Sequence, residues 1–203
     1  MQNKRAEAYF QVSPQGLIFW HYLLREGVDI EISPGNSVQE LLHKELNIPE
    51  QTIQKQIKTI FLNQNPVDDL QITVPDQSTL TLSGAMPGFL GACMRVNSPY
   101  AKMRESLSGT AYSNSKGSVN SNTIIVRLKI FNVLVPEIGP LVLQKGILLS
   151  REKFQDHLEN LPANFYKSSQ QVKINQHPCL ADTYAILKRL EDSPYLRIVL
   201  ETV

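Results

Sequence analysis

Cysteine is scarce in this sequence, with two among 203 residues. Cys93 and Cys179 lie far apart and in no C-x-x-C pair, which makes free thiols in a reducing cytoplasm the expected state. Tryptophan occurs once, and charged residues make up only 19%. Twenty Lys and Arg stand against nineteen Asp and Glu, so no field of one sign is present to gather nucleic acid. No apolar run reaches the ~18 residues that a membrane-spanning helix needs. The opening string MQNKRAEAYFQV lacks the apolar core of a signal peptide, so export is not expected. Walker loops and G-x-S-x-G elbows are absent, and G-A-M-P-G-F-L-G is not the dinucleotide fingerprint G-x-G-x-x-G. No internal repeat is evident. What is left is a lightly charged globular chain, 42% apolar, long enough for one medium domain or two small ones.

The clearest change of composition is SGTAYSNSKGSVNSN, residues 108–122, where almost nothing could anchor a core. It reads as a flexible linker or a long loop. The expected division is therefore residues 1–107, this linker, and residues 123–203, with an α+β architecture throughout.

In the first part, Tyr9–Val12 is a strand candidate. Ser13 and Pro14 then supply an N-cap and a proline at the first helical position. GLIFWHYLLREG follows, apolar on nearly every side, as a helix buried or covered by a partner. VDIEI, Val28–Ile32, alternates strictly and predicts a strand with one buried face. SVQELLHKEL begins with the capping box Ser37/Glu40 and carries Val38, Leu41, Leu42 and Leu46 on one stripe. A helical turn is expected over Pro49–Lys55, then strands over Ile57–Leu62 and Ser78–Ser83, separated by the polar turns NQNPVDD and Asp76–Gln77.

In the second part, IIVRLKIFNVLV predicts a long strand broken by Pro136, Gly139 and Pro140. Short strands are expected within Leu141–Leu149. Ser150 caps a helix with Phe154, Leu158 and Leu161 at helical spacing. Val172–Ile174 is a weak strand. Leu180, Tyr184, Leu187 and Leu190 mark an amphipathic helix, and LRIVLETV ends the chain as a strand.

The strings VDIEISPGNSVQELL, TIFLNQNPVDDL and STLTLSGAMPGFLG, in that order, resemble the ubiquitin-like β-grasp fold, in which a mixed sheet wraps one helix. The likeness is to the sulfur-carrier proteins of thiamine and molybdopterin biosynthesis and covers about residues 8–92. Val38, Leu41 and Leu42 match their V-x-x-L-L helix. Leu62 and Asn63 match a leucine-asparagine-glycine turn in which Gln64 replaces the glycine. The resemblance implies a β-grasp-like N-terminal domain and a smaller α+β C-terminal domain. The departure lies in the tail: a carrier ends in an activated Gly-Gly carboxylate, whereas Gly88 and Gly91 are internal. Carrier chemistry would require cleavage after one of them.

Met86, Pro87, Gly88, Phe89, Leu90 and Gly91 form the glycine-rich exit from the last of these strands. Two readings stand. The side chains cover the chain's own core, which is the preferred reading, or together with Arg95 and Arg104 they form an interaction segment for another chain. No catalytic residue, metal ligand or cofactor is assigned. Cys93 has Arg95, Lys102 and Arg104 nearby but no histidine. His177–Pro178–Cys179 begins a two-ligand pattern that His21, His43 and His157 do not complete. Asp68, Asp69 and Asp76 suit turns. The expected function is that of a non-enzymatic cytoplasmic interaction or assembly module, binding a protein partner or itself, with no nucleic acid and no membrane. The alternative is an accessory protein or enzyme of sulfur or cofactor biosynthesis with a site between the two domains.

Overall fold

The computed structural model describes residues 5–104, 122–162, 165–166, 169–190 and 193–202. The expected linker, 108–122, lies outside the described residues except for Asn122. The architecture is mixed α+β. The strands are β1 (Ala6–Val12), β2 (Val28–Ile32), β3 (Thr59–Leu62), β4 (Asn65–Pro66), β5 (Ser78–Ser83), β6 (Ile124–Phe131), β7 (Ile147–Ser150), β8 (Ser169–Ile174), β9 (His177–Cys179) and β10 (Tyr195–Thr202). The helices are α1 (His21–Glu26), α2 (Val38–Glu40), α3 (Glu50–Lys55), α4 (Gly88–Cys93), α5 (Leu134–Lys145), α6 (Arg151–Glu159) and α7 (Thr183–Arg189).

The chain divides into two compact units, one of Leu24–Ile138 and one of the residues up to Leu23 with Gly139–Val203. In the first unit β6 lies between β2 and β5, antiparallel to one and parallel to the other. β5 continues antiparallel to β3, and β3 to β4. The alternation of β2 and β6 leaves one face buried and the other wet, as the period of two requires. The Ser37 capping box forms as expected: Ser37 Oγ accepts from the Glu40 N–H at 3.2 Å, and Glu40 Oε2 accepts from the Ser37 N–H at 3.0 Å. Beyond α2 the helix widens into a π turn over Leu41–Glu45, where the Leu46 N–H reaches the Leu41 carbonyl. Val38, Leu41, Leu42 and Leu46 are all buried.

In the second unit β1 lies between β10, parallel, and β8, antiparallel. β10 pairs antiparallel with β7, and β8 with β9. Its core is aromatic: Phe10 meets Trp20, Phe154 and Phe165 with ring centroids 5.5, 6.2 and 6.3 Å apart. The strand expected to open the N-terminal sheet thus belongs with the C-terminal residues. Gly16–Trp20 is a 3-10 turn leading into α1, and the Ser13 hydroxyl accepts from the Gly16 N–H. Leu17, Trp20, Leu23 and Leu24 are buried, but Ile18 and Tyr22 are exposed.

The strands predicted within Leu141–Leu149 give way to a helix, with only Ile147–Ser150 extended. Pro136 falls in the first turn of α5, where an N–H has no acceptor within the helix. Pro140 is interior, at a cost of about 3 kcal/mol. Leu134, Val135, Ile138, Val142 and Leu143 are buried, and each such side chain stabilises by about 1.5–3 kcal/mol. Burial therefore wins. α7 also differs from expectation, because Leu180 and Tyr184 are exposed while Ile186 and Leu190 are buried.

The two units repeat one pattern that the sequence conceals. Read from β2 or from β7, the pairings run antiparallel, parallel, antiparallel, antiparallel. Both hairpins turn on Asn-Gln with positive φ: 49° and 69° at Asn63 and Gln64, 49° and 68° at Asn175 and Gln176. Asn63 exchanges hydrogen bonds with the Thr79 backbone, and Asn175 does the same with Glu7. β1 therefore occupies in one unit the place that β5 occupies in the other.

Candidate functional site

β5 delivers the chain into Gly84–Arg104, the segment singled out by its glycines. A Cβ on Gly84 would approach Val133 Cγ2 at 2.9 Å. Pro87 is extended and Gly88 takes φ +78°, a conformation that glycine reaches without steric cost. The chain then coils into α4, a helix where the sequence suggested none. A Cβ on Gly91 would collide with the Met86 carbonyl oxygen, so α4 folds back onto its own approach only because residue 91 has no side chain. These two glycines build a compact corner.

The corner is fastened from several sides. The Val96 N–H donates to the Lys58 carbonyl at 2.8 Å. The Asn97 N–H donates to Asp68 Oδ1 at 2.8 Å, and the Ser98 hydroxyl to the Ala92 carbonyl at 2.8 Å. A 3-10 turn over Ala101–Arg104 follows. Arg104 is only 4% exposed. Its guanidinium grips Asp68 with two bonds, 2.7 and 3.2 Å, and donates to the carbonyls of Cys93 and Arg95. A planar fork of five N–H donors suits such multiple contact. Arg104 is therefore a clamp within the molecule and not a surface contact.

Fixed on this corner are four outward apolar side chains: Phe89 (62% exposed), Leu90 (61%), Tyr100 (46%) and Met103 (52%). The Phe89 and Tyr100 rings meet with centroids 5.6 Å apart and planes at 59°. The preferred sequence reading, in which Phe89 and Leu90 cover the chain's own core, is overturned by this exposure. A six-residue helix closed against Met86 has one inner face, taken by Gly91 and Cys93, and Phe89 and Leu90 project from the other. Met86 is half-buried, Pro87 is exposed, and Arg95 is exposed with a long contact to the Met86 carbonyl. Sequence reasoning missed Met103 and the clamp role of Asp68. A lone Met between Lys102 and Arg104, and an aspartate in a turn, carry no signal of either.

The remaining candidates do not converge. Cys93 is buried, and Cys179 is half-buried with its thiol pushed up by burial. A thiol pushed up in this way is disfavoured as a thiolate at Cys179. Asp69 accepts from the Gln71 N–H and Asp76 from the Ile125 N–H, each at 2.8 Å. Both act as turn residues. His43 Nδ1 contacts the Ile48 carbonyl, and His177 is exposed on β9. Among the described residues, no three of His, Cys, Asp and Glu gather as a metal site would need, and no helix is long and apolar enough to cross a membrane. Compared with protein families, with curated proteins and with solved structures, the chain matches none.

Proposed function

We propose that this protein is a non-enzymatic interaction module, with one β-grasp-like unit, that binds another chain through Phe89, Leu90, Tyr100 and Met103. The observation that carries the reading is four exposed apolar side chains held on a corner tied down by a buried arginine. Large apolar groups clustered on a rigid surface mark contact sites on soluble proteins. The order β2-β6-β5-β3-β4 supports the β-grasp part, with β6 in the place of the first strand. Cys93 and Cys179, both unpaired, support a reducing, cytoplasmic setting. The sulfur-carrier alternative gains no support from Gly91, which is buried inside α4 where a Cβ would meet Met86.

The test is the double variant Phe89→Ser/Leu90→Ser, compared with the wild type by crosslinking and co-purification from the native cells. Both side chains are mostly exposed, so stability should change by no more than about 0.5 kcal/mol. Partners should be lost while the melting temperature holds. Recovery of the same partners at the same yield by the variant would overturn the proposal.

A further inference from the structure

We propose that the Phe89 face receives an acidic amphipathic segment of a partner protein, a helix with apolar residues along one side and carboxylates beside them. This rests on the interaction reading above and names the chemistry of its partner. From Gly84 to Arg104 the sequence holds no Asp or Glu and three cations, Arg95, Lys102 and Arg104. Arg104 is spent on Asp68. Arg95 and Lys102 remain exposed on the segment that presents Phe89, Leu90, Tyr100 and Met103. The segment thus presents four apolar side chains together with two exposed cations and no carboxylate of its own. Met and two tilted aromatic rings adapt to an apolar helix face, and marginal cations select carboxylates and speed their approach.

Three other occupants fit less well. A second copy meeting this face would bring another Arg95 and Lys102 to the interface, with no Asp or Glu on Gly84–Arg104 of either copy to answer them. A membrane surface calls for a dense row of basic residues, whereas this segment exposes two. Strand addition alongside β4 or β9 would meet strands two and three residues long that contain Pro66 and Pro178. Proline removes a donor, and short edge strands resist pairing.

The experiment uses the full chain and fluorescence anisotropy with two labelled synthetic peptides of about 16 residues, long enough for four helical turns. They share Leu and Phe at positions i, i+3, i+4 and i+7, and one carries Glu flanks while the other carries Lys flanks. The Glu peptide is expected to bind at least about tenfold more tightly. Phe89→Ser/Leu90→Ser should abolish that binding, and Arg95→Glu/Lys102→Glu should invert the preference. Equal affinities, no binding of the Glu peptide, or a preference that survives the charge reversal would overturn the acidic partner. Vesicles of phosphatidylcholine with phosphatidylserine, and sedimentation of the protein alone, are run in parallel. Self-association that depends on Phe89, without selective peptide binding, removes the acidic partner and leaves the interaction reading in place, whereas Phe89-dependent binding to vesicles alone removes both. The absence of every Phe89-dependent association removes both.

Discussion

The rings of Trp20 and His157 meet with centroids 4.7 Å apart and planes at 53°, and among the described residues Trp20 Nε1 and His157 Nε2 are buried without a hydrogen-bond partner. Burial pushes the His157 imidazole down from an ordinary value near 6.5 to about 4. The folded chain therefore holds this histidine neutral over a range where the unfolded chain protonates it. The contribution to stability is complete above about pH 6.5 and declines as pH falls toward 4. At about 1.4 kcal/mol per pH unit, it amounts to about 3 kcal/mol. His157→Phe should flatten that part of the profile while leaving stability at pH 7 unchanged or raised, because an unpaired nitrogen is removed. Urea unfolding of both proteins at a series of pH values measures this. A variant that loses stability as steeply as the wild type between pH 6.5 and 4 would show that another group is responsible. In the sequence His157 is a polar position on the Ser150 helix, beside Phe154 and Leu158. Nothing local to it reveals that a tryptophan more than a hundred residues away covers its ring.

Elements defined by local chemistry were legible, and those defined by distant partners were not. The Ser37 box, the alternation of Val28–Ile32, the strand Ser78–Ser83 and the Ser150 cap all form where the residues indicate. α5 was hidden because Pro136, Gly139 and Pro140 signal a break that burial overrides. α4 was hidden because its helix depends on a close approach at Gly91. The paired hairpins went unseen because they share only the asparagine-glutamine turn and the proline that follows. Their structural weight can be measured. Asn63 Oδ1 accepts from the Thr79 N–H at 2.8 Å, and Asn175 Oδ1 from the Glu7 N–H at 2.9 Å. Asn63→Ala and Asn175→Ala each lose that bond and place a Cβ residue without a local polar partner at positive φ, together costing about 2 kcal/mol. Asn→Gly at the same positions should recover the backbone part of the loss. Chemical denaturation should rank wild type, Gly and Ala in that order at both sites. Identical stabilities for Gly and Ala would mean that the left-handed turn carries no cost here.

At the scale of the whole molecule, strand pairing and the linker-like composition of 108–122 point to different boundaries. A cut at that segment separates β6 from β2 and β5, the two strands it joins, and separates β1 from β8 and β10, which it joins in the same way. Residues 1–107 would then hold β2 with no neighbour from its own unit, and residues 123–203 would have a gap between β10 and β8. Loss of a central strand removes two ladders of hydrogen bonds and uncovers the apolar faces on both sides. Among the described residues, 1–107 keeps only β5-β3-β4 paired, and 123–203 only the pairs β7-β10 and β8-β9. Isolated strand pairs are marginal. The fragment Leu24–Ile138, by contrast, keeps all five strands of its unit and the Ser37 helix. We expect it to unfold cooperatively, with dispersed amide resonances, while 1–107 and 123–203 give the narrow dispersion of incomplete folds. The fragment 24–138 also retains Phe89, Leu90, Tyr100, Met103 and the Arg104–Asp68 clamp, so its folding would locate the candidate face within one unit. If 1–107 alone gave a cooperative transition and 24–138 did not, the pairing of β6 with β2 and β5 could not be what completes that core.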